Sequence, residues 1–211
     1  MEIIERRDVS SRRSGPWNKN KLIGQKPPLQ PKHVWAIRSR IMIEGNKRDS
    51  ALFNLAIDSK LRGCDVVALR VEDVAPGGYA ADRATIRQKK TRRGVKFEIT
   101  EQTRQSIDDY LRALPKEPGD YLFGAGESSV RGLTTRQYAR LVARWIASIG
   151  LDPLIYGTHS LRLTKATQIY RRTGNLRAVQ LLLGHTRIES TVRYLSVEVE
   201  DALTMAEQVE V

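Results

Sequence analysis

The chain has 211 residues, of which 40% are hydrophobic and 28% charged, enough apolar content for one soluble domain. Lysine and arginine number 36 against 24 aspartate and glutamate, a net charge of +12, so the expected partner is a polyanion: nucleic acid first, an anionic membrane surface second. No apolar run is long enough to span a bilayer, the N-terminus has no apolar stretch of signal-peptide length, and Cys64 is the only cysteine. These features exclude an intrachain disulfide and a cysteine-rich zinc site, and they predict a cytoplasmic protein with no membrane partner.

Residues 1 to about 30 carry Arg12-Arg13, Lys19, Lys21 and Pro27-Pro28 without periodic apolar residues, and are expected to form a flexible basic arm. The rest, 31–211, reads as one folded domain. Val34, Ile37 and Ile41 recur at helical spacing until Gly45. A second helix is predicted from about Asp49 to Lys60, with Leu52, Leu55, Ala56 and Ser59 on one face. Arg62-Gly63 breaks it, and Asp65 to Leu69 resumes helically before the turn Pro76-Gly77-Gly78.

A β-hairpin follows. Ala84 to Gln88 forms one strand, and Val95, Phe97 and Ile99 alternate with Lys96 and Glu98 in the other. Between them lies the basic loop Lys89-Lys90-Thr91-Arg92-Arg93-Gly94. Thr100 is placed to cap a helix to about Leu114, and 115–132 is mostly loop. Thr134-Thr135-Arg136-Gln137 fits a capping box for a helix to about Ile149. Further helices are expected from Ser160 to Arg172, from Leu176 to Leu183, around Ser190 to Tyr194, and from Val197 to Gln208. The sum is a mostly α domain with one small antiparallel sheet, an α+β fold.

Two of the three histidines fall near the C-terminus, in His159-Ser160-Leu161-Arg162 and Gly184-His185, with Tyr194 nine residues after the second. His159 and Arg162 are three apart and share a helix face. Arginine clamps phosphate oxygens, histidine donates hydrogen bonds, and tyrosine is a nucleophile once deprotonated. Each residue alone has an ordinary reading: a salt-bridging arginine, a helix-start histidine, a core tyrosine.

Four stretches in order override that reading, because together they resemble the catalytic domain of the tyrosine recombinases, the phage integrase family. They are Leu61-Arg62-Gly63-Cys64-Asp65 continuing to Leu69-Arg70, Gln88-Lys89-Lys90-Thr91, His159-Ser160-Leu161-Arg162, and Leu182-Leu183-Gly184-His185 through Tyr194-Leu195. The resemblance covers roughly residues 32 to 205. It implies a site-specific recombinase or integrase that cleaves and rejoins double-stranded DNA through a covalent 3′-phosphotyrosine. Arg62 and Arg162 would hold the nonbridging oxygens, where charge grows in the transition state. His159 and His185 would donate hydrogen bonds to the phosphate. Lys90, or its neighbour Lys89, would protonate the leaving 5′ oxygen, and Tyr194 would attack.

Asp65 matches the family's acidic position and is expected to orient Arg62 or a histidine. Lys89, Lys90, Arg92 and Arg93 are the expected DNA contacts of the hairpin. The resemblance implies neither metal nor cofactor. The sequence agrees in lacking both a Gly-x-x-x-x-Gly-Lys phosphate loop and a His-Glu-x-x-His motif.

Family members usually carry an N-terminal helical domain on the far side of the DNA. Arg62 comes too early to leave room for one, so the catalytic domain is expected to stand almost alone, as in the short fimbrial-switch invertases. Assembly as a homo-oligomer on DNA and help from accessory DNA-bending proteins are further implications. In the family a segment like 197–208, with Val199, Leu203 and Ala206 at helical spacing, docks on a neighbouring protomer; packing on its own domain is the alternative. Two other functions share the motifs: a non-catalytic DNA-binding module, and a type IB topoisomerase-like enzyme distinguished by the topology of its product.

Overall fold

Helix α2 organises the domain. In the computed structural model, which describes residues 25–124 and 131–195, α2 (Lys47–Ser59) is buried along the run from Ala51 to Ser59. Around it pack α1 (Pro31–Ile43), α5 (Glu101–Ala113), α7 (Thr158–Thr173) and one strand of the hairpin. Phe53 of α2 meets Trp145 of α6 (Thr135–Ser148) edge to face, 5.6 Å between ring centroids. The predicted stripe of Val34, Ile37 and Ile41 is the buried face of α1.

Strands β1 (Arg83–Arg87) and β2 (Gly94–Glu98) pair antiparallel, Ala84 opposite Phe97 and Ile86 opposite Val95. Those four side chains turn inward, and Arg83, Thr85, Arg87 and Lys96 turn out, as the period of two requires. The turn closes through Gln88 N–H to Arg93 O and Arg92 N–H to Gln88 O, each 2.9 Å. Helices α8 (Leu176–Leu183) and α9 (Ile188–Leu195) complete the described chain, packed on α7 around Ala166, Tyr170, Val179 and Leu183.

Local chemistry explains most boundaries. Thr134 and Gln137 form the predicted capping box, with Thr134 Oγ1 accepting from Gln137 N–H and Gln137 Oε1 accepting from Thr134 N–H. Asn46 and Asn175 cap α2 and α8. At three places the structure corrects the sequence reading. The helix expected from Asp65 to Leu69 is instead the end of a single turn, α3 (Gly63–Val66), after which the chain leaves the helix before a second short one, α4 (Val71–Val74). Thr100 stands at the N-cap of α5 without capping it, because its hydroxyl is drawn to the buried Asp58 Oδ2 at 2.6 Å.

The third correction concerns the arm. Residues 25–30 belong to the folded body. Leu29 is buried and its N–H meets Thr164 Oγ1, while Lys26 Nζ donates to the carbonyls of Pro153, Leu154 and Tyr156. An apolar side chain and an ammonium with three carbonyl acceptors outweigh the local lack of periodicity. Residues 1–24 and the segment 197–208 lie outside the described residues.

A buried ionic cluster ties the two arginine-bearing segments together. Asp58 of α2 accepts from Lys165 Nζ (2.8 Å) and from Thr100 N–H and Oγ1–H. Lys165 also meets Glu98 (2.7 Å), which receives Lys60 Nζ at 3.2 Å. Burial opposes the charge on Asp58, yet its partners hold its carboxyl below the usual range. Lys60 lies two residues before Arg62, and Lys165 lies three after Arg162. Asp58→Ala is expected to cost about 3 kcal/mol in urea denaturation, since it leaves the buried Lys60 and the partly buried Lys165 with one carboxylate between them. A loss under 1 kcal/mol would contradict that role.

Candidate active site

Arg62 occupies the N-cap position of α3, with extended backbone, and its Nη1 donates to Gln88 Oε1 at 2.5 Å. Gly63 follows because Tyr138 packs there; a Cβ at Gly63 would stand 3.4 Å from its ring. Helix α7 starts at Thr158, so His159 lies in its first turn and Arg162 one turn further in. Arg162 is 2% exposed, among the largest fully buried side chains of the protein. Its Nη2 donates to Leu183 O at 2.9 Å and lies 3.4 Å from His185 Nε2. Its Nε and Nη1 have no partner among the described residues. Burial lowers its pKa to about 10, Arg62 adds repulsion, and Tyr194 and Asp65 oppose the fall, so it stays cationic at neutral pH.

His185 follows Gly184, which ends α8 with φ +64°. An arginine only donates, so His185 Nε2 must be the acceptor and Nδ1 carries the proton, which goes to Thr191 Oγ1 at 3.1 Å. Tyr194, near the end of α9, sits between the two imidazoles. Ring centroids are 4.5 Å to His159 and 5.0 Å to His185, and Arg162 Cζ lies 5.3 Å from the tyrosine ring. Its hydroxyl is 3.2 Å from His159 Nδ1. Burial pushes the phenol up to about 12 against the pull of Arg162 and Arg62, so at rest it keeps its proton.

Arg62, Cys64, Lys90, His159, Arg162 and Tyr194 all border one open pocket of about 440 Å³. Of the two candidate lysines, Lys90 lines it and Lys89 does not. Arg92 and Arg93 are exposed on the same turn, with Arg92 at φ +57°. The sequence-predicted constellation is therefore gathered in one place, from segments a hundred residues apart.

Asp65 departs from its expected part. It is buried, its Oδ1 accepts from Lys89 N–H at 2.8 Å, and its Oδ2 has no partner among the described residues. It fastens the hairpin backbone rather than hydrogen-bonding Arg62 or a histidine. Sequence reasoning also missed Gln88, Thr191 and the Leu183 carbonyl. Gln88 left a signal: it falls at the next inward position after Ala84 and Ile86, where an apolar side chain belongs. Among the described residues, no group of three or more His, Cys, Asp or Glu side chains is arranged to hold a metal ion, and no helix is long and apolar enough to cross a membrane.

Burial, then Arg162, Arg62 and His159, depress the His185 pKa from 6.5 to about 4. The unfolded chain binds the extra proton first, so this group's contribution is present above pH 6.5 and is lost as pH falls towards 4. His159 is depressed too, chiefly by desolvation, and acts in the same direction. The melting temperature is expected to drop across that window, and less so in His185→Asn. An equal drop in both proteins would contradict the buried neutral imidazole.

Comparison with known proteins places this geometry. The fold is that of tyrosine recombinase catalytic domains. It is similar to the crystal structure of XerA recombinase (TM-score 0.71, 21% identity, 86% of this chain and 64% of that one). It is also similar to XerH site-specific recombinase bound to difH substrate in a pre-cleavage complex (TM-score 0.66, 21% identity, 88% and 55%). Residues 32–201 match the model of the phage integrase family, and the chain belongs to that family, whose members are DNA strand-exchange enzymes. Among curated relatives it is 30% identical to the probable integrase/recombinase YoeC of Bacillus subtilis, over 80% of this chain and 87% of that protein. It is 30% identical to the tyrosine recombinase XerC of Caldanaerobacter subterraneus over 72% of this chain, spanning 42% of that protein.

Proposed function

We propose that this chain is a site-specific recombinase that breaks and rejoins double-stranded DNA with Tyr194 as nucleophile. The observation that carries the reading is the Tyr194 hydroxyl 3.2 Å from His159 Nδ1, beside a buried Arg162 with two N–H-bearing nitrogens that have no partner among the described residues. Those nitrogens await acceptors, and phosphate oxygens supply them. The Tyr194 oxygen attacks phosphorus as its proton passes to His159. The bond to the 5′ oxygen breaks, and Lys90 gives that oxygen its proton. Arg62 and Arg162 neutralise the nonbridging oxygens, while His185, a neutral imidazole, packs against Tyr194 and accepts from Arg162. The phosphotyrosyl ester keeps the energy of the broken bond, so reversal by a 5′ hydroxyl rejoins the strand without ATP.

XerH was solved bound to its difH substrate, in pre-cleavage and post-cleavage complexes, and a transposon integrase in complex with transposon end DNA. Those proteins favour duplex DNA as the partner here. Exchange between two duplexes calls for several copies of the chain on DNA, with accessory DNA-bending proteins where bending is needed, acting in the cytoplasm. The basic residues of 1–24, with Lys89, Arg92 and Arg93, would add phosphate contacts that carry no sequence information.

The experiment uses duplexes recovered from a randomised library by binding, each nicked beside the candidate cleavage position and held in EDTA. A detergent-resistant protein–DNA adduct is expected. Binding without an adduct at any nick position would defeat the reading. Binding itself should weaken about 10³-fold between 50 and 200 mM salt, the response to about six phosphate contacts. A flat salt response would contradict a phosphate-clamping surface.

A further inference from the structure

Gln88 is 0% exposed, and both the oxygen and the nitrogen of its amide have partners. Oε1 accepts from Arg62 Nη1 at 2.5 Å and from Thr91 Oγ1 at 2.8 Å. Nε2 faces Leu183 O at 3.4 Å, the same carbonyl that accepts from Arg162 Nη2. The orientation is fixed by chemistry: a guanidinium only donates and a carbonyl only accepts, so the amide cannot be flipped. One side chain thus links the start of α3, the hairpin turn and the end of α8. The α8 terminus is pressed against it, since a Cβ on Gly184 would stand 3.2 Å from the amide oxygen and 2.6 Å from Val95 Cγ2. The backbone of Gln88 also closes the turn on both sides, through Arg92 and Arg93.

A buried amide at an inward strand position is an uneconomical way to fill a core, where an aliphatic side chain would suffice. What the amide does that an aliphatic side chain cannot is hold Thr91, and so the adjacent Lys90, at a set distance from both arginines. We propose that Gln88 is a positioning residue that locks the Lys90 turn in register with Arg62 and Arg162, so that the leaving oxygen is protonated while the phosphate is clamped. This rests on the reading of Lys90 as the proton donor.

The test compares the full chain with Gln88→Met, Gln88→Glu and Thr91→Val on the nicked duplexes above. A second duplex set has sulfur in place of the 5′-bridging oxygen, a leaving group that needs no proton. Gln88→Met is expected to form adduct roughly 10²-fold more slowly with DNA affinity within about twofold, the scale of a misplaced catalytic group. Roughly tenfold of that loss should return on the sulfur substrate. Gln88→Glu keeps the acceptor for Arg62 and Thr91 and should recover most of the rate. Equal losses on both substrates, or a loss confined to DNA binding, would overturn the proposal.

Should Gln88→Met fail to fold, Thr91→Val removes the same link from the exposed side and should show the same leaving-group dependence; its absence there overturns the proposal equally. A wild-type chain that forms no adduct would defeat the strand-exchange reading instead. Amide hydrogen exchange then decides the coupling: residues 89–93 should exchange roughly tenfold faster without the Gln88 amide, and unchanged exchange would reject it.

Discussion

Arg162→Met is expected to abolish adduct formation while leaving the protein at least as stable as wild type. Arg162 is buried with two of its three guanidinium nitrogens unpartnered among the described residues, a desolvated charge whose free donors phosphate oxygens would satisfy. Replacing such a charge by an apolar side chain of similar volume should raise folding stability by about 1 kcal/mol. The same change removes transition-state stabilisation on the order of 3 kcal/mol or more, so the rate should fall by at least about 10²-fold. Leu183 O, which Arg162 would leave, still has the Gln88 amide. Single-turnover adduct assays paired with urea denaturation separate the two effects. A variant that is both slow and unstable would point to a structural arginine.

Tyr194→Phe is expected to bind the selected duplexes with unchanged affinity and to form no adduct. The substitution removes one oxygen from a ring that would keep its contacts with His159, His185 and Arg162. Burial holds the phenol at about 12, so the resting protein is a poor nucleophile. Activation depends on His159 Nδ1 taking the proton and on the two arginines stabilising the charge that forms. Weakened binding in Tyr194→Phe would mean that the hydroxyl serves recognition instead.

Much of this was readable from the sequence because the informative residues sit at regular element positions. The apolar stripe of α1, the capping box of α6 and the alternation of β2 each follow from a local rule, and the structure has all three. The site residues were found by their order along the chain. Arg62 and Arg162 carry no local sign of being neighbours, since long-range packing of α2, α7 and the hairpin brings them together.

What was missed depends on contacts that sequence spacing does not encode. Asp65 lies three residues from Arg62, which suggested a local bond, yet its carboxylate holds the backbone of Lys89 across the fold. Thr100 has a capping residue's identity and position, but Asp58 competes for its hydroxyl. Residues 25–30 read as arm until Lys26 finds three carbonyls in the loop before α7. Gln88 reads as the polar end of a strand beside a basic loop; its inward position follows from the alternation, but its partners Arg62, Thr91 and Leu183 come from elsewhere in the fold.

The most direct measurement is the chemical identity of the bond to DNA. The full chain is incubated with a nicked selected duplex in EDTA, the adduct is digested, and the modified peptide is sequenced by mass spectrometry. The account predicts one modified peptide, with a 3′-phosphoryl nucleotide on the Tyr194 oxygen and a free 5′ hydroxyl on the released strand. Attachment at another residue, a 5′-phosphoryl linkage, or cleavage with no covalent intermediate would contradict it.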